Sequence, residues 1–487
     1  MAKGSSLPLA TWRVAWMGVI YSLGGLIYGF DTGQISGFLD MDDFKRSFGT
    51  FDSATSSYTI STLRSGLIVG LLSIGNLVGA LIAGPLSDRL GRKPPIALAC
   101  VIYASGAVVQ ISSTNRWYQV ALGRCTGGFG VGALSVLVPM ASSETSPANC
   151  RGVVVSGYQM AVTVGIFIAS LINFGTEHIE SHAAWRITMG LDFLWAALLL
   201  LGLVFVPESP KYLFSKGQDE KAKTIMAQML GVSPEHPTLQ GELRDINSSL
   251  ETEKASQDDE WRTMFFSKDA VVRTILATGI LSGCQLTGTN FFLYYGTVIF
   301  ASTGISNSYI TQVIIAAVNM GCTVLGLYFA QRYSRRKCLV FGAVWMAWCF
   351  LIFATVGHFG LDRNDPARTP AAGSVMVTFT ALFIAAFATT WGPISWGEAV
   401  VVCPARHRAV YSSISVSCFW IWNFLIAFFT PFITAQIDYM FGYVFSGCCF
   451  LMALMVQLFV IESQGRTLEE MDRLYSDRYG STSGDRN

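Results

Sequence analysis

The sequence predicts an all-α membrane protein. Its twelve transmembrane helices form two pseudo-symmetric six-helix halves, and further cytoplasmic helices lie in the central loop. Apolar residues make up 52% of the 487 residues and charged residues only 13%, which is about half the charged share of a soluble domain. Twelve apolar runs reach the roughly 20 residues that cross a bilayer. Loop motifs of the first half recur in the second. A soluble chain of this composition would expose too much apolar surface.

The twelve apolar runs contain glycine and a few polar residues, which is typical of helices packed around a cavity. They cover residues 13–38, 64–85, 94–112, 118–140, 152–174, 187–206, 271–300, 309–331, 338–358, 375–400, 409–433 and 441–461. From these runs we predict a four-part organisation. It consists of an N-terminal six-helix half at 1–206, a cytoplasmic linker with short amphipathic helices at 207–270, a C-terminal six-helix half at 271–461, and a cytoplasmic tail at 462–487.

Lysine and arginine are concentrated in the loops that follow even-numbered spans. The loop after span 2 holds Arg89, Arg92 and Lys93, and the loop after span 8 holds four more basic residues. The loops after spans 7 and 11 have neither lysine nor arginine. Because basic residues mark cytoplasmic loops, we expect both termini in the cytoplasm.

Three loop motifs occur twice in the same order, which indicates an internal duplication. Their copies are separated by similar distances of 243, 257 and 254 residues. Duplicated membrane halves with substrate bound between them are typical of transporters. The repeated pairs are residues 88–93 and 331–336, residues 147–151 and 404–408, and residues 207–210 and 461–464.

Short motifs spread over all twelve spans match one known family. They are residues 29–33 (GFDTG), 36–37 (SG), 88–93 (DRLGRK), 123–124 (GR), 127–128 (GG), Glu144, 151–152 (RG), 207–210 (PESP), 285–290 (QLTGTN), 294–295 (YY), 462–465 (ESQG) and 467–470 (TLEE). With these motifs the chain resembles the sugar porter branch of the major facilitator superfamily, most closely fungal hexose transporters.

The resemblance implies transport of a monosaccharide, with a hexose such as glucose expected, by alternating access. It also implies a multi-pass protein of the plasma membrane that works as a monomer, without cofactor or enzymatic activity. Proton symport and facilitated diffusion both fit the sequence. The net charge of +1 offers no basis for binding nucleic acid, and the five histidines show no metal-ligand spacing.

Four positions depart from the family pattern, and all of them lie in the second half. Gln331 replaces an acidic residue and Ser334 replaces a glycine in the loop after span 8. Cys284 stands where the family has a glutamine. After span 10, Val401 occupies the acidic position and Glu398 lies three residues earlier. These departures weaken the expectation that the second half gates on the cytoplasmic side in the standard way.

A pyranose has several hydroxyls and one apolar face, so binding it calls for neutral amides and an aromatic surface. An amide both donates and accepts hydrogen bonds, and aromatic rings pack on apolar faces. By resemblance the candidates match the sugar-binding set of the family, whereas a lone amide in a membrane helix also serves as helix–helix glue. The amide candidates are Gln159, Gln285, Asn290, Asn319 and Asn423, and the aromatic candidates are Tyr28, Tyr295, Trp396 and Trp420.

Asp31 is a carboxylate inside the first span. Ionisable residues are costly within a membrane, so we expect Asp31 to have a functional role. Arg124 in span 4 is the natural partner, and the family pairs these two positions. Protonation of Asp31 would release Arg124 and permit the return step of a symporter. The alternative is a static ion pair that fixes span 1 against span 4.

Charged residues at the cytoplasmic ends of the spans are predicted to form a gate of inter-helix ion pairs, whose breakage would bias the conformational equilibrium. The basic residues could be there only because lysine and arginine mark the cytoplasmic side. The acidic residues need another explanation, because they contribute little to membrane orientation. The predicted gate consists of Asp88, Arg92, Glu144, Arg151, Glu208, Arg408 and Glu462.

A sugar sensor on a transporter scaffold is the main alternative outside transport. Such a sensor is expected to need a signalling tail, and the 26 residues after position 461 are short for one. A channel is disfavoured because the sequence shows no filter-like repeat. An enzyme is disfavoured because it shows no nucleophile motif.

Overall fold

Long helices joined by short loops make up most of the computed structural model. The structure describes residues 12–53, 56–147, 151–233, 236, 239–241, 243–244, 268–303, 307–362, 368–404, 408–466 and 468–479. The elements before the linker are α1 (Trp12–Phe38), α2 (Asp42–Phe48), β1 (Thr50–Asp52), β2 (Ser57–Thr59), α3 (Thr62–Leu90), α4 (Lys93–Ile111), α5 (Trp117–Thr145), α6 (Arg151–Thr176) and α7 (Ala183–Phe205).

The remaining helices follow in the linker and the second part of the chain. They are α8 (Pro210–Ser215), α9 (Asp219–Leu230), α10 (Lys268–Leu286), α11 (Thr289–Ala301), α12 (Ser308–Arg332), α13 (Arg335–Thr355), α14 (Pro370–Thr389), α15 (Trp391–Val402), α16 (Arg408–Ile437), α17 (Phe441–Phe459) and α18 (Leu468–Tyr479). Below, α1–α7 are called the first half and α10–α18 the second half. The short helices α8 and α9 lie in the segment predicted to be amphipathic, and residues 245–267 of that segment lie outside the described residues.

Eleven stretches of the described residues are long and apolar enough to cross a membrane. The last of them, Val410–Phe459, has 50 residues and contains α16 and α17, separated by a 3-10 turn at Asp438–Met440. One span needs only about 20 residues, so this stretch supplies two spans and brings the total to twelve. The predicted all-α membrane fold with twelve transmembrane helices is therefore confirmed.

The two ends of the helix bundle carry different structures. The end with residues 88–93, 207–217 and 334–337 is called the linker face below. The opposite end is called the hairpin face, because it carries α2 and the two-stranded antiparallel hairpin β1–β2, in which Thr50 pairs with Thr59.

Glycines allow α3 and α5 to pack backbone against backbone. A Cβ atom on Gly75 would meet the carbonyl oxygen of Cys125, and one on Gly79 would meet that of Phe129. On the facing helix, a Cβ atom on Gly132 would meet the carbonyl of Asn76. Small residues are the usual means of close helix approach in membranes, where the lipid tails are as apolar as the side chains.

One span is interrupted beside the site described below. Gly288 separates α10 from α11 with φ of +86°, a left-handed conformation that glycine adopts at no steric cost. A Cβ atom there would also lie 2.7 Å from the Phe445 ring. Interrupted helices are a common way to build substrate sites within a membrane, and this interruption places Gln285 and Asn290 on either side of the break.

Candidate functional site

A cavity of about 380 Å³ lies between the two halves. Seven of the nine residues predicted to bind sugar line it. The four amides are Gln159 on α6, Gln285 on α10, Asn290 on α11 and Asn319 on α12, and the three aromatic residues are Tyr28, Trp396 and Trp420. Cys284, one of the departures from the family pattern, also lines the cavity.

Two of the cavity amides are bonded to each other across the helix break. Nδ2 of Asn290 donates to Oε1 of Gln285 at 2.5 Å. This bond uses one of the two N–H donors of Asn290 and one lone pair of the Gln285 carbonyl oxygen. The carbonyl oxygen of Asn290 and the NH₂ group of Gln285 remain for a ligand, and together they suit a hydroxyl that both donates and accepts.

Aromatic rings form one wall of the cavity. Trp420 meets Tyr28 edge to face with ring centroids 5.9 Å apart, and Phe419 lies 5.2 Å from Trp420 and 4.9 Å from Trp396. Nε1 of Trp420 is buried and has no hydrogen-bond partner among the described residues. The wall therefore presents apolar ring surface together with the N–H donor of Trp420.

Asn423 and Tyr295 are also predicted to line the cavity, but the structure places both outside it. Oδ1 of Asn423 accepts hydrogen bonds from Ser73 at 2.5 Å and from Tyr294 at 3.1 Å. Tyr295 donates to the carbonyl of Ala427 at 2.6 Å. Each residue lies about one helical turn beyond a cavity residue toward the hairpin face, where the helices are in contact. Tyr295 lines a separate cavity of about 740 Å³ at the hairpin face.

The predicted pair of Asp31 and Arg124 is present and buried, with Nη2 of Arg124 3.6 Å from Oδ2 of Asp31. Nε2 of Gln34 lies 3.1 Å from Asp31 and 3.4 Å from Asp192. Tyr103 donates to Asp192 at 2.5 Å. The two carboxyl groups therefore share the Gln34 amide, and Arg124 is paired with Asp31.

Asp192 is a residue that the sequence analysis missed. It lies on α7 with 1% of its surface exposed. The signal was present, since Asp192 is a carboxylate within the predicted span 187–206, and such residues are costly in a membrane. What the sequence does not show is that α7 faces α1 at the level of Asp31.

Four of the five predicted gate residues of the first half form one network on the linker face. The guanidinium of Arg92 donates to Glu144 through Nε at 2.8 Å and through Nη2 at 2.7 Å, and to Asp88 at 3.3 Å. Glu208 accepts from the backbone amide of Arg92 at 2.8 Å. Burial alone lowers the pKa of Arg92, but the carboxylates of Glu144 and Asp88 outweigh burial and raise that pKa above its ordinary value.

The second half contains a matching network despite its departures in sequence. Arg335 pairs with Glu398 at 3.3 Å, and Ser463 donates to the same carboxylate. Glu462 accepts from the backbone amide of Arg335 at 3.0 Å and from the Ser334 hydroxyl. Burial raises the pKa of Glu462, but the hydrogen bonds to its carboxylate have the larger effect and bring the pKa below its ordinary value.

The sequence suggested that the second half lacks a counterpart of Glu144, and the structure corrects this expectation. Glu398 occupies the place that Glu144 has in the first half, because Ser463 and Ser209 each donate to the respective carboxylate. Six residues separate Glu398 from the following proline, against three for Glu144, so α15 carries its acid about one turn deeper. Val401 is therefore not the structural counterpart. The side chains of Arg151 and Arg408 lie outside the described part of the structure.

Hydrogen bonds between the two halves lie on the hairpin-face side of the cavity. They join Ser36 to Thr297 at 2.9 Å, Tyr309 to the carbonyl of Gly37 at 3.0 Å, Asn307 to Glu177 at 2.9 Å and Ser73 to Asn423 at 2.5 Å. Within the described ranges, the ion pairs of the linker face join residues of the same half. The cavity also reaches residues near the linker-face ends of the helices, among them Pro139, Val155 and Leu327. This is a state closed toward the hairpin face.

Comparisons with known proteins agree with this architecture. Residues 17–475 match the family described as sugar (and other) transporter. The hexose transporter HXT10 of Saccharomyces cerevisiae is 42% identical over 475 residues, covering 96% of this chain and 86% of the relative. The high-affinity glucose transporter ght5 of Schizosaccharomyces pombe is 40% identical, covering 94% and 84%.

A solved structure extends the similarity to three dimensions. The xylose transporter XylE of E. coli, described as a major facilitator superfamily proton:xylose symporter bound to 6-bromo-6-deoxy-D-glucose, is 25% identical with a TM-score of 0.76. The match covers 95% of this chain and 99% of XylE. The chain belongs to the sugar transporter family of the major facilitator superfamily.

Proposed function

We propose that this chain carries a hexose such as glucose across the plasma membrane by alternating access, working as a monomer. The observation that supports this most directly is the cavity, in which four amides face an aromatic wall. The described residues that line it are all uncharged. A neutral polyol with one apolar face suits such a lining, whereas a charged substrate would lack a counter-ion there. The relatives whose names specify glucose or hexose point to the same substrate class.

Alternating access follows from the unequal closure of the two ends. The halves are hydrogen-bonded to each other toward the hairpin face, while the described ion pairs of the linker face stay within each half. We place the linker face, and with it both termini, in the cytoplasm, because the basic loops lie there. Closing the linker face while the hairpin-face bonds open would expose the same cavity to the outside.

Proton symport is the second candidate, and the cluster of Asp31, Asp192 and Arg124 favours it. Two carboxyl groups and a single arginine lie in this buried site, so a charge-balanced cluster holds one proton in addition. Loss of that proton would leave a surplus negative charge. Coupling between the protonation of this cluster and the arrangement of α1, α5 and α7 would then drive sugar uphill.

Transport by the purified chain in proteoliposomes tests both candidates. We expect labelled glucose to enter by counterflow, to compete with other hexoses, and to be lost in the Gln159→Leu, Gln285→Leu double variant. An imposed proton gradient distinguishes uphill symport from facilitated diffusion. Glucose binding without flux would contradict transport and would identify a sensor.

A further inference from the structure

Gln312 on α12 is a buried amide without a partner. Only 3% of its surface is exposed, and neither Oε1 nor Nε2 makes a hydrogen bond to any described residue. Buried polar groups are nearly always satisfied, so each exception calls for an explanation. An unpaired amide destabilises the state in which it is sealed.

Gln312 lies on the same face of α12 as the cavity residue Asn319. Seven residues separate them, which is close to two full turns and about 10 Å along the helix. Gln312 is therefore in line with the cavity but displaced toward the hairpin face. Between the two levels, Ala316 packs with Leu293 and Ile166 in a small apolar cluster. This cluster separates Gln312 from the cavity in the present state.

The surroundings of Gln312 belong to the closed contact between the halves. A Cβ atom on Gly296 would collide with Oε1 of Gln312, so the absence of a side chain there makes room for the amide. The next residue, Thr297, is bonded to Ser36. One turn before Gln312, Tyr309 is bonded to the carbonyl of Gly37. Opening the hairpin face breaks these two bonds, and Gln312 then lies on the wall of the opened pathway.

We propose that Gln312 is a sugar-binding residue of the outward-open state, at an entry subsite that is sealed in the state seen here. The proposal rests on the proposed function, since it assigns a second contact on the path of the same hexose. Its amide donates to and accepts from sugar hydroxyls entering from the hairpin face. The same amide, unpaired when the face closes, raises the energy of the closed state and favours reopening after sugar has left on the other side.

The test requires a protein held open at the hairpin face. Gly66 on α3 packs against α16, where a Cβ atom would lie 2.6 Å from the carbonyl oxygen of Phe428. The Gly66→Trp substitution places a large ring between the halves and prevents closure there. Gly70→Trp, next to the Phe424 ring, is an independent wedge on the same helix if the first variant does not fold.

Equilibrium binding of labelled glucose to the purified full chain is the measurement. Gln312→Met removes the amide and keeps the length of the side chain. In either wedged background we expect it to weaken binding about fivefold, the loss of one neutral hydrogen bond, and to change binding by the unwedged chain by less than about twofold. Gln159→Met is the matched control, because its cavity position should cost affinity in both backgrounds.

The outcomes separate the two proposals. No glucose binding by the chain in any background would contradict the proposed function. Normal binding with no effect of Gln312→Met in the wedged protein would overturn only the entry subsite. An equal loss in wedged and unwedged protein would overturn it too, since the amide would then act in both states.

Discussion

The hydrogen bond between Asn290 and Gln285 determines how these side chains meet a ligand. Because Nδ2 of Asn290 donates to Gln285, the NH₂ group of Gln285 and the carbonyl oxygen of Asn290 are held in fixed positions, and neither amide rotates freely. Preorganised groups lose less freedom when a ligand binds. The pair is therefore the best placed of the cavity amides to discriminate between sugars by a single hydroxyl.

Gln285→Leu removes a ligand donor and also leaves Nδ2 of Asn290 without its acceptor. We expect the KM for glucose to rise about tenfold, because a neutral hydrogen bond is lost and a partly buried donor is left unpaired. Initial uptake rates over a range of glucose concentrations measure this change. Gln119→Leu, whose amide bonds to Val109 and Ser112 away from the cavity, should leave KM unchanged. An unaltered KM in Gln285→Leu would show that the pair does not contact sugar.

Asp31 and Asp192 together determine whether the buried cluster carries a proton. If it does, replacing either acid with asparagine balances Arg124 with a single carboxylate and removes the need for the proton. We expect Asp31→Asn and Asp192→Asn each to abolish accumulation driven by a proton gradient and to retain equilibrium exchange of glucose. Continued uphill accumulation with unchanged pH dependence would contradict the proton role and favour a static ion pair.

Among the helices, α3 and α5 pack so closely that some positions at their contact have room only for glycine. Gly79 on α3 faces a carbonyl of α5, whereas Gly321 in the middle of α12 has open space around it. Both positions lie inside a transmembrane helix, and they differ in what they face. Comparing them isolates the effect of helix contact from that of helix propensity.

Gly79→Ala should destabilise the protein by about 1–3 kcal/mol, because the added methyl group collides with backbone that has nowhere to move. Gly321→Ala should be neutral or slightly stabilising, since alanine favours the helix more than glycine does. Thermal unfolding of both variants in detergent gives the comparison. Equal melting temperatures would indicate that α3 and α5 are not in close contact.

In the network formed by α13, α15 and residues 461–464, α15 keeps a buried acid that accepts from a serine, although the distance in sequence from that acid to the following proline has changed. Glu398→Ala leaves Arg335 and Ser463 without their shared acceptor. We expect glucose uptake to fall about tenfold, comparable to Glu144→Ala, because removing one partner of a buried pair is strongly unfavourable. Uptake rates normalised to the amount of protein in the membrane measure this. Val401→Ala is the control, and a larger loss there than in Glu398→Ala would restore Val401 as the counterpart of Glu144.

For the whole molecule, the contacts between the halves decide which side is open. Asn423 joins α3, α11 and α16 by accepting from Ser73 and Tyr294. Its buried position makes it a part of the closed hairpin face rather than of the sugar cavity. Weakening this junction should shift the population toward the outward-open state without touching the sugar site.

Hydrogen–deuterium exchange detects that shift without labels. Asn423→Ala should increase exchange at the hairpin-face end of α1 and in α11, and decrease it at the linker-face start of α6 as that side closes. Ser417→Ala on the same helix, whose hydroxyl bonds to the backbone carbonyl of Ser413, serves as the control. Unchanged exchange in α11 would mean that Asn423 does not hold the hairpin face closed.

Much of this protein could be predicted from sequence because the relevant signals are local. A transmembrane span is a property of about 20 consecutive residues, and duplicated loops reveal two halves without any contact information. The amides and aromatic residues of the cavity stood out because polar and aromatic groups within spans are few. Asp31 and Arg124 stood out for the same reason.

The sequence by itself determined the membrane class, the twelve spans and the duplication, and seven of the nine residues predicted to bind sugar do line the cavity. Only the tertiary structure decided that Asp192 joins Asp31, that Glu398 replaces Val401, that Asn423 and Tyr295 belong to the closed hairpin face, and that Gln312 is left unpaired. The physical reason is that each of these depends on the depth and rotation of one helix against another. Helix crossings are set by packing between residues far apart in the chain, and a shift of one turn exchanges a cavity position for a contact position.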